Sequence, residues 1–194
     1  GGGSTFNSEF AVNTGFTTPV SYTQNVYTLN DHTFDHTMAK LFKEQGYSVN
    51  AFHMNSSDFY SRGINYRSWG FDNYYGLVDI ADYKNDEEEL DRELILNKDF
   101  YDLMFKQDGP FVDYIITYTP HTPFETEDGV GRLVAEMKYG KGNIPSGLTE
   151  EDVVKLEAAE TDYMVGLLIQ ALKDNDLYDN TVIVAYADHY LYTI

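Results

Sequence analysis

The sequence contains no cysteine among its 194 residues. Disulfides, thiolate metal sites and cysteine nucleophiles are therefore excluded together. Basic side chains are scarce, with 13 Lys and Arg against 32 Asp and Glu, and the net charge of −19 argues against the clustered cationic surface that nucleic-acid binding needs. No run in the printed sequence approaches the roughly 18 consecutive apolar residues that a membrane-spanning helix requires.

The sequence also lacks an initiator methionine, a charged leader and an apolar signal segment at its start. It opens with Gly1-Gly2-Gly3-Ser4, and we expect it to be a part of a longer protein. Its composition is typical of a folded domain, because 42% of the residues are hydrophobic and 15% are aromatic. The length predicts one domain over residues 1–194.

Alternating helix and strand patterns predict an α/β fold with a mainly parallel sheet and helices on both faces. Apolar spacing predicts helices over 33–45, around 100–104 and over 149–173, the last with Thr149 as N-cap. Apolar or alternating runs predict strands over 47–52, 111–119 and 181–187, and the last run is typical of a buried parallel strand. Segments 56–75 and 125–147 are predicted as loops, and the acidic run 86–93 as a solvated helix face.

Histidines occur where three of the predicted strands end. They are His53, His121 and the neighbouring pair Asp188 and His189. Because ligands of open parallel sheets bind at the carboxyl ends of the strands, we expect these side chains to converge on one site. A single histidine of this kind is more often a structural residue, but three at strand ends favour a functional site.

The pair Asp188 and His189 offers an oxygen and an imidazole nitrogen, which suit zinc or manganese. Two adjacent ligands do not make a metal site by themselves. The hydroxyl of Ser4 or Thr5 is a further candidate, just before a segment that could open a helix whose N-terminus favours anions. A metal-bound hydroxyl is a competent nucleophile because coordination lowers its pKa. The Gly-rich start is equally compatible with a cloning linker.

Several short motifs, which together cover nearly the whole chain, resemble those of one family in the same order. The chain resembles the lipoteichoic acid synthases, the phosphoglycerol transferases of the sulfatase/alkaline phosphatase superfamily. The matching motifs are Gly3-Ser4-Thr5-Phe6-Asn7-Ser8-Glu9-Phe10, Phe52-His53, Tyr60-Ser61-Arg62, Gly70-Phe71-Asp72, Thr119-Pro120-His121-Thr122-Pro123-Phe124, Leu177-Tyr178-Asp179-Asn180 and Ala187-Asp188-His189-Tyr190.

The resemblance implies a role for each matched polar residue. Thr5 would be both metal ligand and nucleophile, and Asp188 and His189 would be metal ligands. The resemblance also implies that the phosphoglycerol group is contacted by His53, Arg62 and His121, with Tyr60 in the place of a tryptophan in many relatives. The chemistry agrees, since arginine grips phosphate in fork geometry and His121 could exchange a proton with an alcohol. We expect the Asp188 and His189 side chains within about 8 Å of the Thr5 hydroxyl, which a shared metal could close.

The sequence departs from the family pattern at three points. The family's remaining metal ligand is a Glu upstream of the nucleophile, and nothing precedes Gly1 here. Ala187 and Leu191 flank the Asp-His motif where the family usually has glycine. Relatives also continue for a substantial stretch beyond Ile194. We therefore expect an incomplete catalytic domain.

The resemblance implies a membrane-anchored enzyme whose catalytic domain is extracellular, with the anchoring transmembrane part lying upstream. It would use a divalent metal, manganese in the first instance with magnesium or zinc as alternatives. Its substrate would be phosphatidylglycerol or a related anionic glycerophosphate, and the phosphoglycerol group would pass to a glycolipid or polymer hydroxyl. A phosphatase or phosphodiesterase of the same superfamily, and a non-catalytic paralogue that binds anionic polymer or a protein, are the alternatives. A sulfatase activity is disfavoured, because no Cys or Ser occurs in a C/S-x-P-x-R motif.

Overall fold

The computed structural model describes residues 4–18, 26–30, 32–80 and 90–191. The strands are β1 (Ser48–His53), β2 (Asn73–Gly76) and β3 (Phe111–Ile116). The helices are α1 (Thr5–Thr14), α2 (Met38–Glu44), α3 (Arg62–Ser68), α4 (Leu77–Ile80), α5 (Glu93–Leu96), α6 (Lys98–Phe105), α7 (Gly129–Tyr139) and α8 (Glu150–Asp174). This is the predicted α/β class.

The chain divides into two compact units. The first consists of Gly1–Asp79, Gln107–Ile115 and Val182–Thr193, and the second of Ile80–Lys106, Ile116–Thr181 and Ile194, in their described residues. The first unit holds the sheet, in the strand order β2-β1-β3. Strands β1 and β2 run parallel, with His53 opposite Gly76 at their carboxyl ends.

The core of the first unit is aromatic. Phe6 and Phe10, one helical turn apart on α1, pack on Trp69 with ring centroids 5.4 and 6.1 Å away. Tyr66 on α3 lies 4.8 Å from the same ring. All four side chains are buried. This packing fixes α1 and α3 against each other, and both helices supply candidate site residues.

The second unit is built on its long helix. Thr149 caps α8 as predicted, and its hydroxyl and the Asp152 carboxylate form a capping box. Helix α7, which the sequence analysis assigned to a loop, packs Leu133 and Val134 against Leu156. The five glycines of segment 125–147 obscure the helical periodicity of α7 in the sequence. The Asp128 side chain accepts a hydrogen bond from the first amide of the helix.

Other predicted elements are confirmed or corrected by the structure. The strand at 47–52 and the helix around 100–104 are confirmed as β1 and α6. The predicted loop 56–75 is wrong, since it contains α3 and β2; the face that α3 buries includes the polar residues Arg62 and Asn65, so no apolar period marks it. Residues 86–89 of the acidic run lie outside the described residues, and in the described half Leu90 and Asp91 are buried, so that half is not the predicted solvated helix face.

The predicted buried strand over 181–187 is also wrong for this structure. The segment forms no strand, and the exposed fractions of Val182 and Val184 are 86% and 78%. The Tyr186 hydroxyl does bond that of Tyr114 on β3. An apolar run shows only that a segment is hydrophobic. A buried strand also needs a neighbouring strand to hydrogen-bond with and other elements packed on both of its faces. The described residues supply neither for this segment.

Across the described ranges, no helix combines the length and the apolar character that crossing a membrane would need.

The glycine at the end of β2 generates a stability prediction. A Cβ added to Gly76 would lie 2.6 Å from the backbone oxygen of Asn55 and 2.6 Å from a carboxylate oxygen of Asp79. We expect Gly76→Ala to lower the free energy of unfolding by about 1–3 kcal/mol, because backbone must move to relieve the clash. Urea unfolding followed by fluorescence of Trp69, the single tryptophan of this sequence, measures the change.

Gly147→Ala is the matched control. No atom lies within 4 Å of a Cβ added there. Its unfolding free energy should stay within about 0.5 kcal/mol of the wild-type value. Equal urea midpoints for Gly76→Ala and the wild type would contradict the prediction.

Candidate active site

Thr5 is the first residue of α1. Ser4 precedes it as N-cap, with an extended backbone at φ −156° and ψ 128° and no capping hydrogen bond from its side chain. The helix ends where Gly15, at φ 76°, donates its amide to the Ala11 carbonyl. Thr5 is half-buried. Its hydroxyl therefore belongs to the positive end of a ten-residue helix, a suitable place for a group that meets an anion.

Asp188 contacts the same helix. The Ser8 hydroxyl, one turn after Thr5, donates a hydrogen bond to the Asp188 carbonyl. Residues three apart on a helix share a face. The contact therefore brings the Asp188 backbone to the side of α1 that carries Thr5, while the predicted convergence of the site side chains stays a prediction. The predicted 8 Å limit from the Thr5 hydroxyl stays a prediction.

The Asp188 and His189 side chains face each other. The His189 imidazole Nε2 lies 3.4 Å from Asp188 Oδ2, and its Nδ1 lies 2.9 Å from the Tyr190 carbonyl. A carbonyl oxygen can only accept, so Nδ1 carries the proton in that contact. In the neutral imidazole, Nε2 then presents a lone pair to the carboxylate. Two such acceptors facing each other suit a shared cation.

This donor set fits a divalent metal in its chemistry. It comprises a carboxylate, an imidazole fixed by a backbone carbonyl, and the Thr5 hydroxyl at the same side of α1. Within the described residues, however, no group of three or more His, Asp or Glu side chains is arranged to hold a metal ion. The Thr5 hydroxyl as a further ligand, which the resemblance implies, stays a prediction.

His53 is the last residue of β1 and is 4% exposed. The parallel pairing places it opposite Gly76, at the carboxyl edge of the β1–β2 pair. That is where an α/β ligand site is expected. Its role toward substrate stays a prediction.

Arg62 opens α3 and is buried, with an exposed fraction of 1%. Its Nε and Nη2 donate to the two carboxylate oxygens of Glu9 at 3.1 and 2.7 Å. The Tyr66 hydroxyl donates to Glu9 at 2.8 Å. Burial by itself would lower the pKa of Arg62, but the Glu9 charge and hydrogen bonds raise it above its ordinary value. The guanidinium therefore stays charged in the core.

Glu9 is a residue that the sequence analysis did not single out. It is 2% exposed and lies four residues after Thr5 on α1. The sequence alone shows that Glu9 shares a helix face with Thr5, because residues at i and i+4 do so. The sequence does not show that Glu9 pairs with Arg62, since the two are 53 positions apart.

Tyr60 lies over Arg62. Its ring centroid is 5.1 Å from the guanidinium carbon, and the ring of Phe59 is 5.7 Å from it. Tyr60 and Ser61 both have left-handed backbones, at φ 56° and 50°. The buried Asn65 amide holds their carbonyls at 3.2 and 3.0 Å. A strained segment that is fixed in this way is typical of a ligand site.

His121 belongs to the second unit, and its proposed part in the active site stays a prediction. Its ring stacks on Tyr118 at 6.0 Å, and its Nδ1 lies 2.6 Å from the Thr122 carbonyl. The segment before it is held by Asp91, which accepts from the amides of Tyr118 and Thr119 at 2.7 and 3.1 Å. His121 lines a cleft of about 200 Å³ on this unit.

Two comparisons with proteins of known sequence agree on one family. Over residues 1–193, the chain matches the family described as Sulfatase. The lipoteichoic acid synthase of Staphylococcus saprophyticus is 29% identical over 98% of this chain and 28% of the relative. The lipoteichoic acid synthase-like YvgJ of Bacillus subtilis is 30% identical over 97% of this chain and 29% of the relative. The chain thus spans less than a third of these relatives.

Solved structures give the same result. The lipoteichoic acid synthase LtaP from Listeria monocytogenes superposes with a TM-score of 0.71 at 25% identity, over 96% of this chain and 44% of that one. A protein in the alkaline phosphatase superfamily from Vibrio parahaemolyticus gives a TM-score of 0.56 at 22% identity, which bears on the fold alone. The predicted alkaline phosphatase/sulfatase-like fold and the resemblance are confirmed.

The Glu9 and Arg62 pair generates a stability prediction. Arg62→Ala should lower the free energy of unfolding by about 3–5 kcal/mol, because it leaves the Glu9 carboxylate buried without its cation. The double variant Glu9→Gln with Arg62→Met replaces the pair by neutral groups of similar length. It should recover most of that loss, as measured by urea unfolding. A double variant no more stable than Arg62→Ala would argue against this account.

The second unit generates a pH prediction at Glu157. This residue of α8 is 0% exposed, and its carboxylate oxygens have no partner at hydrogen-bonding geometry. Burial raises the pKa of Glu157 from 4.5 to about 8, against the lowering effect of the His121 backbone amide. The folded state thus holds a proton that the unfolded state releases. Stability should be full below pH 4.5 and fall as the pH rises to about 8.

Thermal melting between pH 5 and 8.5 tests this. Glu157→Gln should make the decline less steep, since one group contributes at most about 1.4 kcal/mol per pH unit. A smaller decline should remain, because burial also raises the pKa of Asp113 to about 7. The exposed Glu150, at the start of the same helix, supplies the control Glu150→Gln, which should keep the wild-type profile. A Glu157→Gln profile parallel to the wild-type one would show that another group titrates.

Proposed function

The chain belongs to the sulfatase family, and on that premise we propose that it transfers phosphoglycerol from phosphatidylglycerol to a glycolipid or polymer hydroxyl. The observation that supports this proposal best is the contact of Ser8 with Asp188. It brings the Asp188 and His189 pair to the helix whose first residue is the hydroxyl nucleophile candidate Thr5. The relatives named lipoteichoic acid synthase supply the substrate class.

The proposed reaction has two balanced steps. The Thr5 oxygen attacks phosphorus, and the phosphoester bond to diacylglycerol breaks; diacylglycerol leaves with a proton, and phosphoglycerol stays on Thr5. An acceptor hydroxyl then attacks the same phosphorus, the bond to Thr5 breaks, and Thr5 regains its proton. Each step exchanges one phosphoester for another, so no oxidant or water is consumed.

Asp188, His189 and the Thr5 hydroxyl are the proposed holders of a divalent cation, with manganese as the first candidate. When bound, that cation would favour the ionised form of the hydroxyl and offset charge on the phosphate. A cation also answers the electrostatic difficulty of a −19 chain that must attract an anion. His53, Tyr60, Arg62 and His121 are the proposed contacts of the phosphoglycerol group, with His121 also proposed as a proton carrier.

We place this activity at the outer face of the cell membrane, with the anchor supplied by a part of the protein outside this chain. The proposal rests on the lipid substrate and on the curated relatives, of which this chain matches less than a third.

A non-catalytic role is the second candidate. The favouring observation is that Arg62 is committed to Glu9, while the described residues hold no cluster of three metal-binding side chains. A chain of that kind would bind anionic glycerophosphate polymer without turnover.

Thr5→Ala in the full-length protein tests the proposal. It should abolish diacylglycerol release from phosphatidylglycerol vesicles, because it removes the attacking oxygen, and it should leave the thermal midpoint nearly unchanged. Ser4→Ala removes the neighbouring hydroxyl and is the control, which should keep turnover. Without acceptor, the wild type should carry a phosphoglycerol adduct on Thr5, visible by mass spectrometry. Wild-type turnover in Thr5→Ala would replace this function by the second candidate.

A further inference from the structure

The Arg62 guanidinium is held along one edge only. Glu9 takes Nε and Nη2, whereas Nη1 is buried and has no partner at hydrogen-bonding geometry. The Tyr74 hydroxyl on β2 is likewise buried without a partner. Burial raises the pKa of Tyr74, and the proximity of Arg62 opposes that rise, so the two groups are neighbours. Nη1 and the Tyr74 hydroxyl therefore lie side by side in the core of the first unit, close enough to interact but without a hydrogen bond of good geometry.

An ion pair gains no stability from leaving Nη1 without a well-formed hydrogen bond. A buried donor without a partner costs about 1–3 kcal/mol. The second unit provides the contrast, because Arg92 pairs with Glu160 in the same two-pronged way. The Arg92 side chain is 24% exposed, so its remaining nitrogens can reach water. Arg62, at 1%, has no such outlet.

Helix α1 links the pair to the nucleophile candidate. Thr5 and Glu9 lie four residues apart on this helix and so share a face. Phe6 and Phe10 on the same helix pack against Trp69 and hold α1 on the core of the first unit. The position of the Arg62 guanidinium is thereby tied to that of the Thr5 hydroxyl through one rigid element.

We propose that Glu9 is a positioning residue for substrate binding, which holds the Nε and Nη2 edge of Arg62 so that Nη1, beside the Tyr74 hydroxyl, is left to donate to a phosphate oxygen of the glycerophosphate substrate. The proposal rests on the proposed function, because that function assigns Arg62 to the substrate. The rings of Phe59 and Tyr60 lie over the guanidinium. Because the Arg62 side chain is 1% exposed, access of a phosphate to Nη1 requires the side chains around it to move.

A cycle of four full-length proteins tests this: wild type, Glu9→Gln, Arg62→Met and the double variant. Calorimetric titration with glycerol 1-phosphate gives a Kd for each, and diacylglycerol release gives kcat and KM. Glu9→Gln should raise both Kd and KM roughly tenfold with a smaller change in kcat, since it disturbs one charge-assisted phosphate contact. Arg62→Met should raise them at least as much. The double variant should match Arg62→Met, because Glu9 acts through Arg62.

Glu160→Gln is the matched control. It removes the charge of a buried glutamate in an equivalent arginine pair, and it should leave Kd and KM at wild-type values. Thermal melting of each variant separates loss of folded protein from loss of affinity. The neutral double variant remains foldable even if Arg62→Met alone does not, and Glu9→Gln alone still reports on Kd.

Three results would overturn the proposal. In the first, Glu9→Gln lowers the thermal midpoint but leaves Kd and KM unchanged, which marks a structural role. In the second, the effects of the two single variants multiply in the double variant. In the third, the wild type does not bind glycerol 1-phosphate. Loss of Thr5-dependent turnover concerns the proposed function instead, and the binding titration remains readable in a Thr5→Ala background.

Discussion

The geometry of the first unit depends on the buried ion pair of Glu9 and Arg62, because this pair joins α1 to α3 through charged groups that cannot be left alone. Two hydrogen bonds from Arg62 and a third from Tyr66 offset the cost of removing the Glu9 carboxylate from water. Neutral side chains of similar size could hold two helices together at least as firmly. What the charges add is direction, since a planar guanidinium donates to both carboxylate oxygens only when the carboxylate lies in its plane. The pair thus sets the rotation of α1, and with it the positions of Thr5 and Ser8.

Sequence patterns predicted the elements whose local signals agree with their surroundings. Helix α8 has a capping box and a long apolar face, and β1 alternates before a histidine, so both were found. Helix α3 was missed because its buried face is made of Arg62, Asn65 and Tyr66, whose partners come from distant segments. The strand predicted over 181–187 failed for the opposite reason. Its apolar run is genuine, but a strand also needs a neighbour, and no periodicity within a segment reports whether one is present.

The same distinction applies to the candidate site. Adjacency in sequence was enough to pair Asp188 with His189, and the motif order was enough to bring in Thr5. The contact that joins them spans 180 positions, from Ser8 to the Asp188 carbonyl, and only the fold provides it. Glu9 was not predicted as a site residue because it is one of 32 acidic residues, and the sequence does not show that its side chain is buried. Its position one turn after Thr5 matters because its side chain binds Arg62.

Each buried carboxylate of an acidic chain needs its own stabilising partner or a proton, and the described residues show three such arrangements. Glu9 and Glu160 each take an arginine. Asp91 is held by the amides of Tyr118 and Thr119 and by the Thr161 hydroxyl, while burial favours the protonated form of Glu157. The positive charges of Arg62 and Arg92 are therefore already balanced by Glu9 and Glu160 when no substrate is bound. An anionic headgroup approaching a −19 chain therefore finds little net attraction in a paired guanidinium. Attraction would have to come from a bound divalent cation, whereas Arg62 can contribute the direction of a single hydrogen bond at close range.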